Sequence, residues 1–168
     1  MQVSSMAIVD GVIHDKYGQR GRHFNEHGMP TYSWPFHIED APAGTVSFAA
    51  ILYDIDSFVS TGGFIWIHWV IANLHRDTVG DNESQSATDF LQGANSNMSV
   101  QGGQQSRELS SYYGGMAPPD VPHQYTLQVF ALDTDLDLQN GFLMNQMLHQ
   151  MEGHVLETAK VFGIYYNE

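Results

Sequence analysis

Four short segments of this chain carry side chains that could bind a ligand or move a proton. They are "YDID" at 53–56, "GGFIWIHWVIANL" at 62–74, "YYGGMAPP" at 112–119 and "HQY" at 123–125. Histidine changes its protonation near neutral pH, and a neighbouring carboxylate fixes its tautomer and raises its basicity. An acid, two histidines, a tryptophan and a Gly/Pro-rich turn together indicate a small pocket for an anion or a phosphorylated head group.

His68 lies in one of the most apolar stretches of the chain, which predicts a buried strand over residues 64–74. A lone histidine there is either a core residue hydrogen-bonded through one nitrogen or part of a site. Period-two counting divides the strand into two faces. One face carries Phe64, Trp66, His68 and Val70, and the other carries Ile65, Ile67, Trp69 and Ile71.

Asp54 ends the preceding predicted strand, 45–56, and continues its apolar face of Val46, Phe48, Ala50 and Leu52. If the two strands are neighbours, the Asp54 carboxylate could orient a nitrogen of His68. The alternative is a strand-end acid that only faces solvent.

The segment 112–125 contains two adjacent glycines and two adjacent prolines, followed by His123. Glycine allows a close approach to the backbone, whereas proline donates no hydrogen bond and fixes the path of the chain. The free N–H groups of such a turn could face a ligand. The alternative is a rigid loop without a binding role.

The remaining pattern predicts the elements that must position these residues. Alternation predicts a strand over 123–133, and another is expected over 159–166. An apolar stripe at helical spacing, Leu143, Met147 and Met151, predicts a helix from 141 to about 157 whose methionines pack in a core. We expect an irregular stretch from Asp10 to Pro35 with one short strand. A Gly/Ser/Asn/Gln-rich loop over 75–111 is expected to be functional or mobile.

Composition restricts the function classes. The 168 residues suit one domain, and 6 Lys+Arg against 19 Asp+Glu give a net charge of −13, which disfavours nucleic acid and anionic membranes. The absence of cysteine excludes disulfides, thiol catalysis and Cys-based zinc sites. No segment predicts a signal peptide or a stable membrane insertion, so we expect a cytoplasmic protein.

In order and spacing, these motifs resemble the phosphatidylethanolamine-binding proteins, also called Raf kinase inhibitor-like proteins, in their bacterial and archaeal branch. The likeness covers roughly residues 30–168 and includes "PTYSW", "YDIDS", the His-Trp strand, "YYGGMAPPDVPHQY" and "MEGHV". It implies a mainly β fold: one domain over 1–168, an antiparallel β-sandwich with small peripheral helices and one C-terminal helix.

The resemblance also implies a pocket near one end of the sandwich that holds phosphate, acetate or phosphoethanolamine-like groups. Carried over by motif, its ligand-binding residues are Asp54, Asp56, Trp66, His68, Gly114, Gly115, Ala117, Pro118, His123 and Tyr125. Within the loop, Ala117 is the expected backbone N–H donor. Bacterial members often form dimers, so a homodimer that acts through protein contacts is a further expectation.

Two positions depart from the family pattern. Ile55 replaces the proline of an Asp-Pro-Asp motif, and Gln124 replaces the arginine of a His-Arg-Tyr motif. A rigid bend is therefore lost, or is kept as a non-proline cis bond, and one cation near the acids is missing.

We therefore predict a binding protein for a small anion or phospho-head group, without a cofactor and without a metal. A hydrolase is the alternative, with His68 or His123 as general base and Asp54 as its orienting acid. Two further alternatives are a metal site at His23 and His27, or at His149 and His154, and a purely structural role for the pocket residues.

Overall fold

Ten strands form two sheets in the computed structural model, which describes all residues from 1 to 168. In chain order the strands are β1 (Gln2–Ser4), β2 (Ile8–Val9), β3 (Val12–Ile13), β4 (Phe36–Glu39), β5 (Ser47–Asp54), β6 (Trp66–Leu74), β7 (Thr78–Val79), β8 (Leu91–Gly93), β9 (His123–Leu132) and β10 (Val155–Tyr165). The larger sheet has the order β2-β3-β10-β9-β5-β6-β8, and the smaller has the order β1-β4-β7. Only β3 and β10 pair in parallel. The mainly β, largely antiparallel prediction is confirmed.

The strands β5, β6 and β9 form the centre of the larger sheet and match the segments predicted from apolar patterning. All but one of the eight residues of β5 are buried, because both faces of this strand are covered. On one face, Phe48, Ala50 and Leu52 pack in a core that also contains Phe36 of β4 and Val79 of β7. This core fills the space between the two sheets.

The other face of the larger sheet packs against the helix α3 (Met144–Met151). Its Met147 and Met151 are buried in a second core with Ala49 of β5 and Val70 of β6. The methionine stripe therefore packs in a core, as predicted.

The helix α3 is shorter than the predicted span of 141 to about 157, and it precedes the last strand. It begins after Leu143, whose N–H donates to Oε1 of Gln146. It ends before Gly153, which adopts a φ of 81°, a conformation that favours glycine. The chain then turns directly into β10, so Val155 belongs to a strand and not to the helix.

The remaining helices are short and peripheral. They are α1 (Phe58–Thr61), α2 (Arg107–Ser110) and the 3₁₀ turns Asp15–Tyr17 and Ser96–Met98. Segment 75–111 contains α2 and the turn Ser96–Met98, and it also contains β7 and β8. It is therefore not a structureless loop. None of the helices combines the length and the hydropathy needed to cross a bilayer.

A β-bulge at His68 changes the faces of β6. Leu52 pairs with Trp69, but the next residue, Tyr53, pairs with Ile67, so His68 is the extra residue. Beyond the bulge the alternation is shifted. Trp69 lies in the core between the sheets, whereas Ile67 and Val70 pack on the other side. The predicted faces are therefore wrong from Trp69 onwards, because period-two counting assumes an unbroken ladder.

A buried polar network connects β6 and β8 to the start of the 112–119 loop. Oε1 of Gln92 accepts from Nε1 of Trp69 at 2.7 Å and from the Ser84 hydroxyl at 2.6 Å. Nε2 of Gln92 donates to the Ser84 carbonyl at 2.9 Å, and the Ser84 hydroxyl accepts from the N–H of Tyr113 at 2.9 Å. Gln92 thus satisfies three buried groups and fixes where the loop begins.

Replacing Gln92 with Leu should lower the free energy of unfolding by more than about 2 kcal/mol, because several buried polar groups lose their partners. Chemical denaturation measures this change. The exposed Gln101→Leu is the matched control and should leave stability nearly unchanged. Equal stability of the two variants would show that the network contributes little.

Candidate ligand-binding site

A cavity of about 240 Å³ lies where the adjoining ends of β5, β6 and β9 meet. The register explains why the site residues converge there, because Asp54 pairs with Trp66 on one side and with Tyr125 on the other. Neighbouring antiparallel strands bring the end of one to the beginning of the next. Residues far apart in sequence therefore line one opening.

Seven of the ten predicted site residues line this cavity. They are Asp54, Trp66, His68, Gly115, Ala117, His123 and Tyr125. The other three do not line it. The Asp56 carboxylate accepts from the N–H of Gln124 at 2.9 Å, the Gly114 carbonyl oxygen lies 2.6 Å from Nδ1 of His68, and Pro118 is a buried residue of the 112–119 loop.

Asp54 pairs with His123 and not with His68, so the expected Asp54–His68 orientation is wrong. Oδ2 of Asp54 lies 2.8 Å from Nδ1 of His123, and both side chains are almost completely buried. Nε2 of His123 lies 3.0 Å from Oδ1 of the partly exposed Asp120. Asp54 pairs with Tyr125 of β9, and His123 lies two residues before Tyr125 on the same strand. The Asp54 carboxylate therefore reaches the His123 ring.

Both ring nitrogens of His123 face carboxylate oxygens, which accept hydrogen bonds when ionised. This arrangement favours the doubly protonated imidazolium. Burial lowers the pKa of His123, but the hydrogen bonds and charges of Asp54 and Asp120 outweigh it, so the net pKa is raised. His123 therefore supplies the positive charge that compensates the buried Asp54.

His68 has the opposite environment. Its Nδ1 lies 2.6 Å from the Gly114 carbonyl oxygen, and the N–H of Gly114 donates to the His68 carbonyl at 2.9 Å. Burial lowers the pKa of His68, although the charge of Asp54 partly opposes the shift. Nε2 makes no hydrogen bond to a protein group. His68 is thus a buried neutral histidine with one nitrogen left for a ligand.

The turn at "YDID" keeps its bend without proline and without a cis bond. Oδ1 of Asp54 accepts from the N–H of Asp56 at 2.7 Å, which closes the turn through a side chain. Asp56 in turn binds the backbone of β9 through Gln124. The hydrogen bonds that both carboxylates accept from backbone N–H groups therefore hold this turn in place of the proline that Ile55 replaces.

The 112–119 loop packs closely against the N-terminal segment. The N–H of Gly115 donates to the Pro30 carbonyl at 2.8 Å. The N–H of Ala117 makes no bond to another backbone group but faces the Tyr125 hydroxyl, and the Ala117 residue is exposed on the cavity wall. The backbone donor expected at Ala117 therefore already has a neighbouring oxygen of the protein.

Sequence reasoning missed the residues that close the cavity from outside the three strands. They are His27, Gly28, Met29, Pro30, Ser57, Ser60, Asn97, Gln105 and Pro119. Pro119 belongs to the loop already singled out. The turn before α1, rich in small polar residues, and the loop length over 75–111 were the available signals for Ser57, Asn97 and Gln105. The N-terminal residues carried no signal beyond the His23/His27 spacing.

The alternative metal ligands do not form a cluster. The ring of His23 packs on Tyr32, whereas His27 lines the cavity. His154 pairs with Asp133 on the surface. No group of three or more His, Asp or Glu side chains is arranged to hold a metal ion.

Replacing Asp54 with Asn should lower the pKa of His123, because burial would then be opposed by Asp120 alone. The imidazole resonances followed by NMR against pH measure this shift. Asp133→Asn, which faces the exposed His154, is the control and should leave the pKa of His123 unchanged. An unchanged His123 pKa in Asp54→Asn would contradict the assignment of Asp54 as its partner.

The same pair makes the stability of the wild type depend on pH. His123 stabilises the fold fully below its ordinary pKa of 6.5 and loses this contribution as the pH rises through the folded-state pKa.

Replacing Gly115 with Ala should destabilise the loop. A Cβ at this position would lie 2.5 Å from the Tyr17 carbonyl oxygen and 2.7 Å from Cβ of Pro30. We expect a loss of about 1–3 kcal/mol, as for overpacking in a core. Thermal unfolding tests this, and a wild-type melting temperature would show that the loop can move away at no cost.

Comparison with known proteins agrees with this architecture. The sequence profile described as phosphatidylethanolamine-binding protein matches residues 4–166. The YxkA protein of Bacillus subtilis is 35% identical over 153 residues, which cover 89% of this chain and 90% of the relative. A UPF0098 protein of Methanothermobacter thermautotrophicus is 36% identical over 140 residues and 83% of each chain.

Two solved structures share the fold. CT736 of Chlamydia trachomatis, a homologue of phosphatidylethanolamine-binding protein, superposes with a TM-score of 0.80 at 27% identity and covers 99% of this chain and 97% of its own. YbcL of Escherichia coli gives a TM-score of 0.76 at 22% identity, with coverage of 99% and 98%. With its bacterial and archaeal relatives, the chain therefore belongs to the phosphatidylethanolamine-binding protein family.

Proposed function

We propose that this chain is a binding protein for a small phosphate-bearing ligand, held in the cavity at the ends of β5, β6 and β9. The observation that carries this proposal is His68, which lines the cavity, is 5% exposed, and has no protein partner at Nε2. A buried polar atom without a partner costs stability, so its retention calls for a functional explanation. A ligand in the cavity would supply the missing hydrogen bond.

The rest of the lining suits a small polar ligand better than an extended apolar one. The hydroxyls of Ser57 and Ser60 offer neutral donors, and Trp66 offers an aromatic surface. No Lys or Arg side chain lines the cavity. Short-range donors can still hold a small anion, despite a net charge of −13 for the whole chain.

The hydrolase alternative finds less support. His123 has the acid partner that a general base requires, but its second nitrogen is bonded to Asp120 and is not available for a proton. His68 has an available nitrogen, but a backbone carbonyl orients it and no acid is bonded to it. Neither histidine therefore combines an orienting acid with a free nitrogen.

Ligand titrations followed by NMR test the proposal. At a pH of about 6, close to the second pKa of a phosphomonoester, inorganic phosphate and phosphoethanolamine should shift the resonances of His68 and Tyr125 in a saturable way at millimolar concentrations. Ser60→Trp places a large ring at the mouth of the cavity and should weaken binding about tenfold or more.

Val59→Trp is the matched control, since Val59 neighbours Ser60 on α1 but does not line the cavity. It should bind like the wild type. If neither ligand shifts any resonance of the wild-type cavity, the proposal fails. If Ser60→Trp binds as well as Val59→Trp, the ligand lies elsewhere.

A further inference from the structure

The hydrogen bond from His68 to Gly114 fixes which nitrogen of the ring is an acceptor. A carbonyl oxygen can only accept, so Nδ1 of His68 must carry the hydrogen in its 2.6 Å contact with Gly114. In the neutral ring the other nitrogen, Nε2, then has a lone pair and no hydrogen. The inner wall of the cavity therefore presents an acceptor where an anion site would ordinarily present a donor.

The surroundings of His68 favour this neutral form. From β5 it faces the charge of Asp54, and from β9 it faces the cationic His123. The edge of the Tyr125 ring lies against it, with ring centroids 5.1 Å apart. From the 112–119 loop it meets only backbone carbonyls, and His27 is the titratable group that the N-terminal segment adds to the lining. The charges of Asp54 and His123 oppose each other, and burial decides in favour of the neutral ring.

The neighbouring acid is not available as an alternative acceptor. Oδ1 of Asp54 accepts from the N–H of Asp56, and Oδ2 is bonded to His123. A second unpartnered buried acceptor, Oε1 of Gln105, lines the same cavity. At these two points the wall repels a bare oxyanion, whose oxygens are all acceptors, and attracts a group that carries its own hydrogen, whereas the Ser57 and Ser60 hydroxyls can donate to any oxyanion.

We propose that the cavity selects phosphates that donate a P–O–H hydrogen to Nε2 of His68, and that it rejects oxyanions without such a hydrogen. This inference rests on the proposed function and specifies its ligand class. Inorganic phosphate keeps a hydroxyl at neutral pH. A phosphomonoester keeps one only near and below its second pKa of about 6, and a phosphodiester or sulfate has none. The phosphodiester of an intact phospholipid therefore lacks the group that His68 is arranged to accept.

Phosphate and sulfate provide the sharpest comparison. Slightly above neutral pH they have the same tetrahedral shape and nearly the same charge, but only phosphate carries a hydrogen. At equal ionic strength, the wild type should bind phosphate about tenfold or more tightly than sulfate, because sulfate would leave Nε2 unpaired. Dimethyl phosphate, the diester probe, should bind as weakly as sulfate. Calorimetry or NMR titration gives the three dissociation constants.

His68→Asn tests the assignment to one atom. The Asn amide can still donate to Gly114 in place of Nδ1, but it has no atom at the position of Nε2. The preference for phosphate over sulfate should therefore fall to about twofold or less. His154→Asn is the control, because His154 is exposed and pairs with Asp133 away from the cavity. It should keep the wild-type preference, and unfolding curves would verify that both variants are folded.

The outcomes separate this inference from the proposed function. Equal affinity for phosphate and sulfate would overturn the selectivity while leaving a ligand-binding cavity in place. A preference that survives in a folded His68→Asn would overturn the role of Nε2. Absence of binding by all three ions would overturn both. In the phosphate complex, imidazole ¹⁵N spectra should still show Nε2 of His68 as the nitrogen without a hydrogen, and a protonated Nε2 would also contradict the inference.

Discussion

The buried ion pair between Asp54 and His123 is the interaction on which the ligand cavity depends. A carboxylate removed from water is costly unless it is paired and its oxygens are hydrogen-bonded, and both conditions hold for Asp54. One oxygen closes the turn at the end of β5, and the other holds the first residue of β9. The pair therefore joins two neighbouring strands at the edge of the cavity, and Asp120 completes the charge around His123.

This pairing gives the two histidines of the site opposite properties. His123 is held as a cation between two acids, and its nitrogens are both engaged. His68, one strand further along the sheet, bonds a carbonyl and stays neutral. Both side chains are almost completely enclosed, but two carboxylates outweigh the effect of burial on the pKa of His123, whereas burial prevails at His68, which has no bonded acid. The cation thus stabilises the structure, and the neutral ring remains for ligand recognition.

Much of the fold could be predicted from residue patterns. The apolar run ending at Asp54 predicted β5, and the alternation after His123 predicted β9. A strand buried on both faces has a continuous apolar run, and one buried on a single face alternates apolar and polar residues. The predicted span of α3 was too long, since an apolar stripe indicates which face of a helix packs against a core but not where the helix ends. The turn at Gly153 and the pairing of Val155 with Leu132 ended it.

The composition of the site was also readable, since Asp54, Trp66, His68 and His123 had the residue types of a small polar pocket and all line one cavity. The sequence did not predict which acid binds which histidine. That choice depends on strand order and register, and the bulge at His68 altered the register by one residue. The N-terminal segment around His27 and the residues Asn97 and Gln105 reach the cavity only through long-range packing.

The sequence by itself thus determines where the strand segments lie, the excess of acidic residues, and which residues are able to form a site. Only the tertiary structure decided the Asp54–His123 pair, the tautomer of His68 and the closure of the cavity. The physical reason is that hydrogen bonds of about 3 Å depend on positions set by strands far apart in the chain. A one-residue shift in register is enough to exchange one partner for another.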